Sequence, residues 1–366
     1  MIKTINSVLI LSLSLLFWAC KTTANDDGSI HFSDRSFDKD YSLKGQVLQM
    51  HLRGKPLSYT LIKDSVLLLN YWESDTFLID LVNVNTGAKI KSIARKGKGP
   101  KEFLNATVKY KSLNDKYFSI HDVVKQSFTR YNIDSLLIYN SYSGIEYKIP
   151  SFAQDFAFFR DDSIILYNSN YLIVDNGPLN GNAISPIYCI KMSESTDSTC
   201  HKLDSLLRPK YFASNVSNGT FLISPDKQSI WLVDSYSDEI SVYNSNFSLI
   251  KRYKGPGKLS PKYEIRPDSA VYFRDGKYYR SFYPSFASKN FIYLLHIGVD
   301  GIDLNFAKVE RPVSVLKIDW RGNLVSRYTI KDYLYNISIS SDEKYLYGTT
   351  VKSFGDSARL IRYMLK

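Results

Sequence analysis

The chain has 366 residues, 44% of them hydrophobic and 23% charged, values that allow a large core and exclude a disordered or fibrous protein. Its formal net charge is +11. Its Lys and Arg residues form no stripe with interleaved aromatics, which argues against a nucleic-acid partner and leaves attraction to anionic glycans or lipid head groups, or a merely solvated surface, as the use of that charge.

Residues 1–20 read as a signal peptide rather than as part of the fold. Lys3 supplies a small positive start, Ser7 to Phe17 form a short apolar run, and Ala19-Cys20 ends it; such a run is too short for a membrane-spanning helix. The ending Leu16-Phe17-Trp18-Ala19-Cys20 resembles a bacterial lipobox, which implies that Cys20 becomes the lipidated first residue of the mature protein. An ordinary secretory signal with an incidental Cys is the alternative. Residues 21–38 are polar, with Asn25-Asp26-Asp27-Gly28 among them, and read as a flexible tether. The acidic patch resembles the surface-export signals of some Gram-negative lipoproteins.

Residues 39–366 read as one domain built from a repeat, and the 28 Tyr and 20 Phe suit its pleated, half-buried surfaces. The clearest copy runs from Asp64 to Phe103: a turn acid, a strand from Val66 to Trp72, a second from Phe77 to Val84, the Asn85-Thr86-Gly87 turn, a third from Lys89 to Ala94, and a Gly/Pro/Lys loop. Turn acids followed by apolar or aromatic strands recur at Asp115, Asp162, Asp226, Asp275 and Asp342. Hairpin candidates follow at Phe128 to Ile138, Tyr188 to Leu203, Ile240 to Tyr253 and Val313 to Tyr328, with Asn and Gly at several tips. Inner-strand candidates precede the acids. Helical periodicity is nearly absent, and Asp204 to Leu207 reads as at most a turn. Long insertions are expected at Asn168 to Pro186 and Tyr283 to Pro312.

This pattern predicts an all-β, six-bladed β-propeller of four-stranded antiparallel blades. The sixth unit ends one strand short at Lys366, and a spare strand lies within Tyr41 to Leu52. Pairing the N-terminal strand with the C-terminal blade would close the ring and remove its open edges. A two-domain β-sandwich would not explain complementary halves of one unit at the two ends.

The loop Arg95-Lys96-Gly97-Lys98-Gly99-Pro100-Lys101-Glu102-Phe103 resembles the "G-x-G-P-x-E-F" turn of six-bladed TolB-like or NHL-like propeller lipoproteins of Gram-negative bacteria. Such a resemblance implies an outer-membrane lipoprotein of the cell envelope, periplasmic or surface-exposed, and is silent on ligand.

Besides Cys20, the chain has Cys189 and Cys200. If Glu194-Ser195 is a hairpin tip, these two face each other and form a disulfide, as an exported protein allows.

In a propeller the D–A and B–C loops emerge on one face and the A–B and C–D turns on the other. The first face is expected to carry Trp72, Glu73 and Asp75, the basic loop with Arg95, Lys96 and Lys98, the loop with Asp234, Tyr236, Asp238 and Glu239, and both insertions. This is the candidate binding rim, for a protein, peptide or glycan ligand. The glycines of the basic loop either cradle a phosphate or merely shape the turn, and no helix follows to complete a phosphate site. Trp72 and Trp231 either stack on a ligand or pack between blades. For a metal, Glu102, Asp155 and Asp268 near inner-strand starts are the candidates. Converging on the tunnel, they would hold a hard cation such as Ca²⁺, as in lactonase-type propellers; otherwise they are capping or solvated residues. His residues share no ligand spacing, and no hydrolase or metalloprotease motif is legible. The reading is a lipid-anchored binding or interaction module. The alternatives are a propeller enzyme of lactonase or lyase type with a metal-centred tunnel, and a structural subunit of an outer-membrane assembly.

Overall fold

The computed structural model describes residues 23–24, 28–50, 53, 56–71, 74–111, 116–139, 144–160, 162–174, 177–181, 185–257, 259–274, 279–283, 285–300, 312–350 and 359–366. Strands dominate, and six antiparallel blades form a propeller ring. We number the blades in chain order and letter their strands A to D from the axis outward.

Blade 1 is Pro56–Ile62, Val66–Tyr71, Phe77–Asn83 and Lys89–Arg95. Its strand B, VLLLNY, is buried at every position, because both faces of an inner strand are covered by neighbouring blades. Strand D, KIKSIAR, starts exposed and is buried only toward its end. Blade 2 spans 106–148 and blade 4 spans 219–254, each with four strands in the same order. Blade 3 shows three strands among the described residues, Ala153–Arg160, Ser163–Asn168 and Ile187–Lys191.

Six apolar clusters fill the six junctions. Phe118 and Ile120 of blade 2 pack with Ile79 and Leu68 of blade 1, and Phe128 of blade 2 packs with Phe156 and Ile164 of blade 3. Ile165 meets Phe221 and Ile230 at the third junction, and Trp231 meets Ile292 and Leu316 at the fourth. Leu295 meets Ile337 and Leu346 at the fifth. Finally Leu61 and Leu67 meet Tyr347 and Leu360, so blade 6 packs on blade 1. Six junctions without an end make a ring.

Closure follows the expected route. Gly45–Leu48 pairs antiparallel with Arg359–Met364 and supplies strand D of blade 6. The N-terminal chain does more than close one blade. Ile30–His31 pairs parallel with the outer strand of blade 4, and Lys39–Leu43 pairs parallel with the outer strand of blade 5. Phe32 and Phe37 are buried against the blade 4–5 junction. The described part of the expected tether, from Ser29 to Asp38, is therefore a strap laid around the ring. Its polar composition hid this, because edge pairing uses backbone groups and only two buried aromatic side chains.

Three other expectations change. Blade 2 continues from strand C into a helix, Ile133–Ile138, which Asn132 caps by accepting from the Ser135 N–H; strand D, Ile145–Lys148, comes only after it. In blade 3 the expected hairpin is a strand followed by a helix, Asp197–Leu206, capped by Thr196 through the Thr199 N–H. In blade 5 the aromatic strand read as B is strand A, Tyr279–Phe282, continued after a break by Phe286–Ala287. The true strand B, Phe291–Asp300, lies inside the stretch read as an insertion. A further long connection precedes the blade, and its described part holds the ribbon Tyr263–Ile265 with Val271–Phe273, while 301–311 of the expected insertion lie outside the described residues.

Candidate functional site

The B–C turns of blades 2, 3 and 4 share one device. Strand B ends in an Asp or Asn whose side-chain oxygen accepts backbone N–H groups of the turn, an arrangement that fixes the chain direction. Asp122 accepts from Val124 and Lys125 at 3.1 Å each, Asn168 from Asn170 at 3.0 Å, and Asp234 from Tyr236 at 2.7 Å and Ser237 at 2.8 Å. These turns, with the D–A connections, build one face of the ring.

Over blades 3 to 5 the long connections of that face fold onto each other. Leu172 from the blade 3 insertion, Ala213 and Val216 from the segment before blade 4, Tyr236, and Val271, Phe273 and Tyr279 form a seventh apolar cluster. Phe273 lies 5.3 Å from the Tyr236 ring and 4.9 Å from the Tyr279 ring. Asn180 stitches two of these connections: its amide donates to the Asn170 and Tyr211 carbonyls and its oxygen accepts from the Tyr211 N–H. The result is an aromatic cap.

Asp238 is the polar centre under the cap's edge. It is buried, accepts from the Leu259 N–H at 2.9 Å, from the Ser281 hydroxyl, and from His296 Nε2 at 3.1 Å. Burial pushes its carboxyl up, but the His296 hydrogen bond and charge, with the Ser281 and Leu259 donors, bring it below the usual carboxylate range. Gly257 leaves room for it: a Cβ there would stand 2.5 Å from Asp238 Oδ2. Asp234 moves the other way, pushed by burial up to about 7 despite its two N–H donors. Glu239 forms an ion pair with Arg252 at 3.6 Å. Asp238, Ser281 and His296 do not make a hydrolytic triad. The carboxylate, not the imidazole, receives the Ser281 hydroxyl, and Ser281 is fully buried, so no base activates an accessible nucleophile.

The basic loop lies at another junction, between blades 1 and 2. Glu102 turns back into it, accepting from the Gly99 N–H at 2.9 Å and pairing with Arg95 at 3.5 Å. A Cβ at Gly97 would overlap that carboxylate. Lys125 donates to the Gly99 and Glu102 carbonyls. The glycines thus serve a closed turn whose anion is the protein's own Glu102. Arg95, Lys96 and Lys98 remain exposed around it, as does Asp75.

The expected rim therefore divides into two sectors: Asp75, Arg95, Lys96 and Lys98 beside blades 1 and 2, and Asp234, Tyr236, Asp238 and Glu239 beside blades 4 and 5. Trp72 and Glu73 lie outside the described residues. Trp231 is a packing residue, stacked 5.5 Å from Tyr253 and edge-on to Trp320. The three candidate metal ligands sit in three settings. Glu102 belongs to the basic loop, Asp155 accepts from the Phe221 N–H at 3.2 Å between inner strands, and Asp268 holds the exposed ribbon turn through the Ala270 N–H. No group of three metal-ligating side chains occurs among the described residues. Cys189 and Cys200 are both free thiols: the helix carries Cys200 away from the strand that holds Cys189, so the hairpin that would have paired them does not form. His296 was not readable as a site residue, since 58 positions separate it from Asp238.

A protein from Bacteroides fragilis described as exported matches 90% of this chain and 99% of its own, with a TM-score of 0.50 and 11% identity. A member of the DUF4221 family from Bacteroides vulgatus matches 90% of this chain and 99% of its own, with a TM-score of 0.58 and 9% identity. These likenesses concern the fold. No protein-family model and no curated protein sequence matches the chain.

Proposed function

We propose that this protein is an exported, lipid-anchored propeller of the cell envelope that binds a partner through the face built from its B–C and D–A connections. The observation that carries this reading is the division of labour on that face. Asp122, Asp155, Asp234, Asp238 and Glu102, the acids best placed for chemistry, are committed to backbone N–H groups or to neighbouring side chains. The exposed groups are the cations Arg95, Lys96 and Lys98, and the half-buried Tyr211 and Tyr263 edge the aromatic cap. Cations and aromatic surfaces recognise anionic or carbohydrate-rich partners and protein surfaces. The exported description of the Bacteroides fragilis structure and the lipobox-like ending at Cys20 agree on the compartment, and the TolB-like resemblance of the basic loop favours the outer membrane.

Two measurements test the reading. Cys20→Ala should move the protein from the membrane fraction to the soluble fraction; unchanged fractionation would remove the lipid anchor. Pull-down from detergent-solubilised membranes, repeated with Arg95→Glu/Lys98→Glu, should lose its partner, and a glycan array separates a carbohydrate ligand from a protein one. A stoichiometric metal in the purified protein, lost in Asp155→Asn, would instead favour the enzyme alternative.

A further inference from the structure

The strap fixes where the anchor reaches the ring. Ile30–His31 lies on the outer strand of blade 4, Leu249–Lys254, with Ile30 opposite Tyr253 and His31 opposite Lys254. Thr23–Ala24 then pairs back onto Ile30–His31, with Thr23 opposite His31. Cys20 stands three positions before Thr23, with only Lys21 and Thr22 between them, and three such steps span at most about 11 Å. A lipid on Cys20 would therefore stay within that reach of Thr23 and of the outer edge of blade 4 on which the strap is paired.

That edge is unlike the neighbouring one. The outer strand of blade 5 is covered by Lys39–Leu43 and alternates buried and half-buried residues along its length. On blade 4 the strap pairs only at Tyr253 and Lys254, and Leu249, Ile250 and Lys251 are all exposed. Leu249 is 42% and Ile250 52% accessible. Leu249 pairs with Tyr243 and Lys251 with Val242, so Ile250 is the extra residue of a bulge, where the regular alternation of side chains is interrupted. The edge offers two adjacent exposed apolar side chains followed by a cation. Apolar groups next to a basic one suit the boundary between acyl chains and phosphate head groups.

We infer that the outer edge of blade 4, centred on Leu249, Ile250 and Lys251, rests on the phospholipid surface that holds the Cys20 anchor. The inference rests on the lipid-anchor reading and adds an orientation to it. The propeller lies edge-on, and its connection-rich face opens sideways along the membrane and is not pressed against it. A second exposed apolar group, Ile138, Tyr139 and Ile145, lies on blade 2. It sits two blades from the strap's first contact, and nothing ties the anchor to it.

Hydrogen exchange of the full acylated protein on phosphatidylethanolamine–phosphatidylglycerol vesicles, compared with Cys20→Ala in solution, decides the matter. Exchange in peptides covering 249–252 should slow by roughly ten-fold, the factor expected for part-burial of one such side chain. Leu249→Glu/Ile250→Glu should abolish that slowing while blade-core peptides exchange as in the wild type, which confirms that the variant is folded. Acylated protein that binds the vesicles but slows at 138–145, or nowhere on blade 4, overturns the edge-on orientation and leaves the anchor intact. Full-length protein that does not bind the vesicles at all removes the anchor reading, and the orientation with it.

Discussion

Asp64 and Ser341, 277 positions apart, are joined by two hydrogen bonds: the Ser341 N–H donates to one carboxylate oxygen at 2.6 Å and its hydroxyl donates to the other. Asp64 sits in the A–B turn of blade 1 and Ser341 in that of blade 6, so the pair spans the seam where the two ends of the ring meet. Asp64 also has a left-handed backbone, φ 53°, which Asp and Asn tolerate better than other non-glycine residues. Asp64→Ala should therefore cost about 1–2 kcal/mol in denaturant unfolding, with Asp64→Asn costing less, since it keeps an acceptor and the backbone preference. Equal midpoints for Asp64→Ala and the wild type would show that the strand pairing alone holds the seam.

The two acids under the cap give stability a pH dependence of two opposite signs. Asp238 is held below its ordinary value, so its contribution is present above that value and is lost as pH falls through the folded one. Asp234 is raised from 3.8 to about 7 by burial; its folded state prefers the proton, so stability is full below the ordinary value and falls as pH rises toward about 7. Asp234→Asn keeps an oxygen for the Tyr236 and Ser237 N–H groups and removes the charge. It should flatten the neutral limb and gain about 1–3 kcal/mol near pH 8, less than the full shift implies because the residue is partly exposed. Thermal unfolding across pH checks this, and a variant no more stable than wild type near pH 8 would show that Asp234 is ionised at little cost.

The blades that could be read from the chain are those where apolar alternation and turn chemistry agree. VLLLNY followed by FLIDLVN and an Asn-Thr-Gly turn leaves little freedom, and the matching halves at the two termini pointed to closure. Blade 5 was misaligned because Tyr279–Phe282 is aromatic enough to pass for a second strand, while its real strand B follows a break that composition does not mark. The helix Asp197–Leu206 escaped because DSTCHKLDSL buries only Cys200 and offers no apolar stripe; the Thr196 cap was the one available signal. Of the candidate site, the turn-forming Asp and Asn residues were visible as loop acids. Their commitment to backbone donors was not, nor was the meeting of Asp238 with His296, because both depend on which blades become neighbours.

Gly255 lies where the strap crosses the end of blade 4. Its φ is +146°, and a Cβ there would overlap the Phe32 carbonyl oxygen, which belongs to backbone and cannot swing aside. Phe32 itself donates its N–H to the Lys254 carbonyl at 3.0 Å. Gly255→Ala should lift the strap locally, with a loss of about 1–3 kcal/mol from strain and lost pairing. Limited proteolysis should then cut within 29–38 faster than in the wild type. A cleavage pattern identical to the wild type would mean that the strap contributes little once the blade 6 strand is in place.

Cys189 and Cys200 provide a direct chemical reading of blade 3. Burial pushes the Cys200 thiol up to about 11, helped by the nearby Asp204 and Asp197 carboxylates, and burial also raises the Cys189 thiol. Both are thus poor thiolates at neutral pH, and Cys200 is the more enclosed of the two. Alkylation of Cys20→Ala protein in denaturant without reductant should add two labels. In the native state Cys189 should react before Cys200, and both slowly, because the reactive species is the thiolate. A protein that takes no label until reduced would instead have its two sulfurs joined. The helix that separates them would then have to unwind, and blade 3 would regain the hairpin that its cysteine spacing first implied.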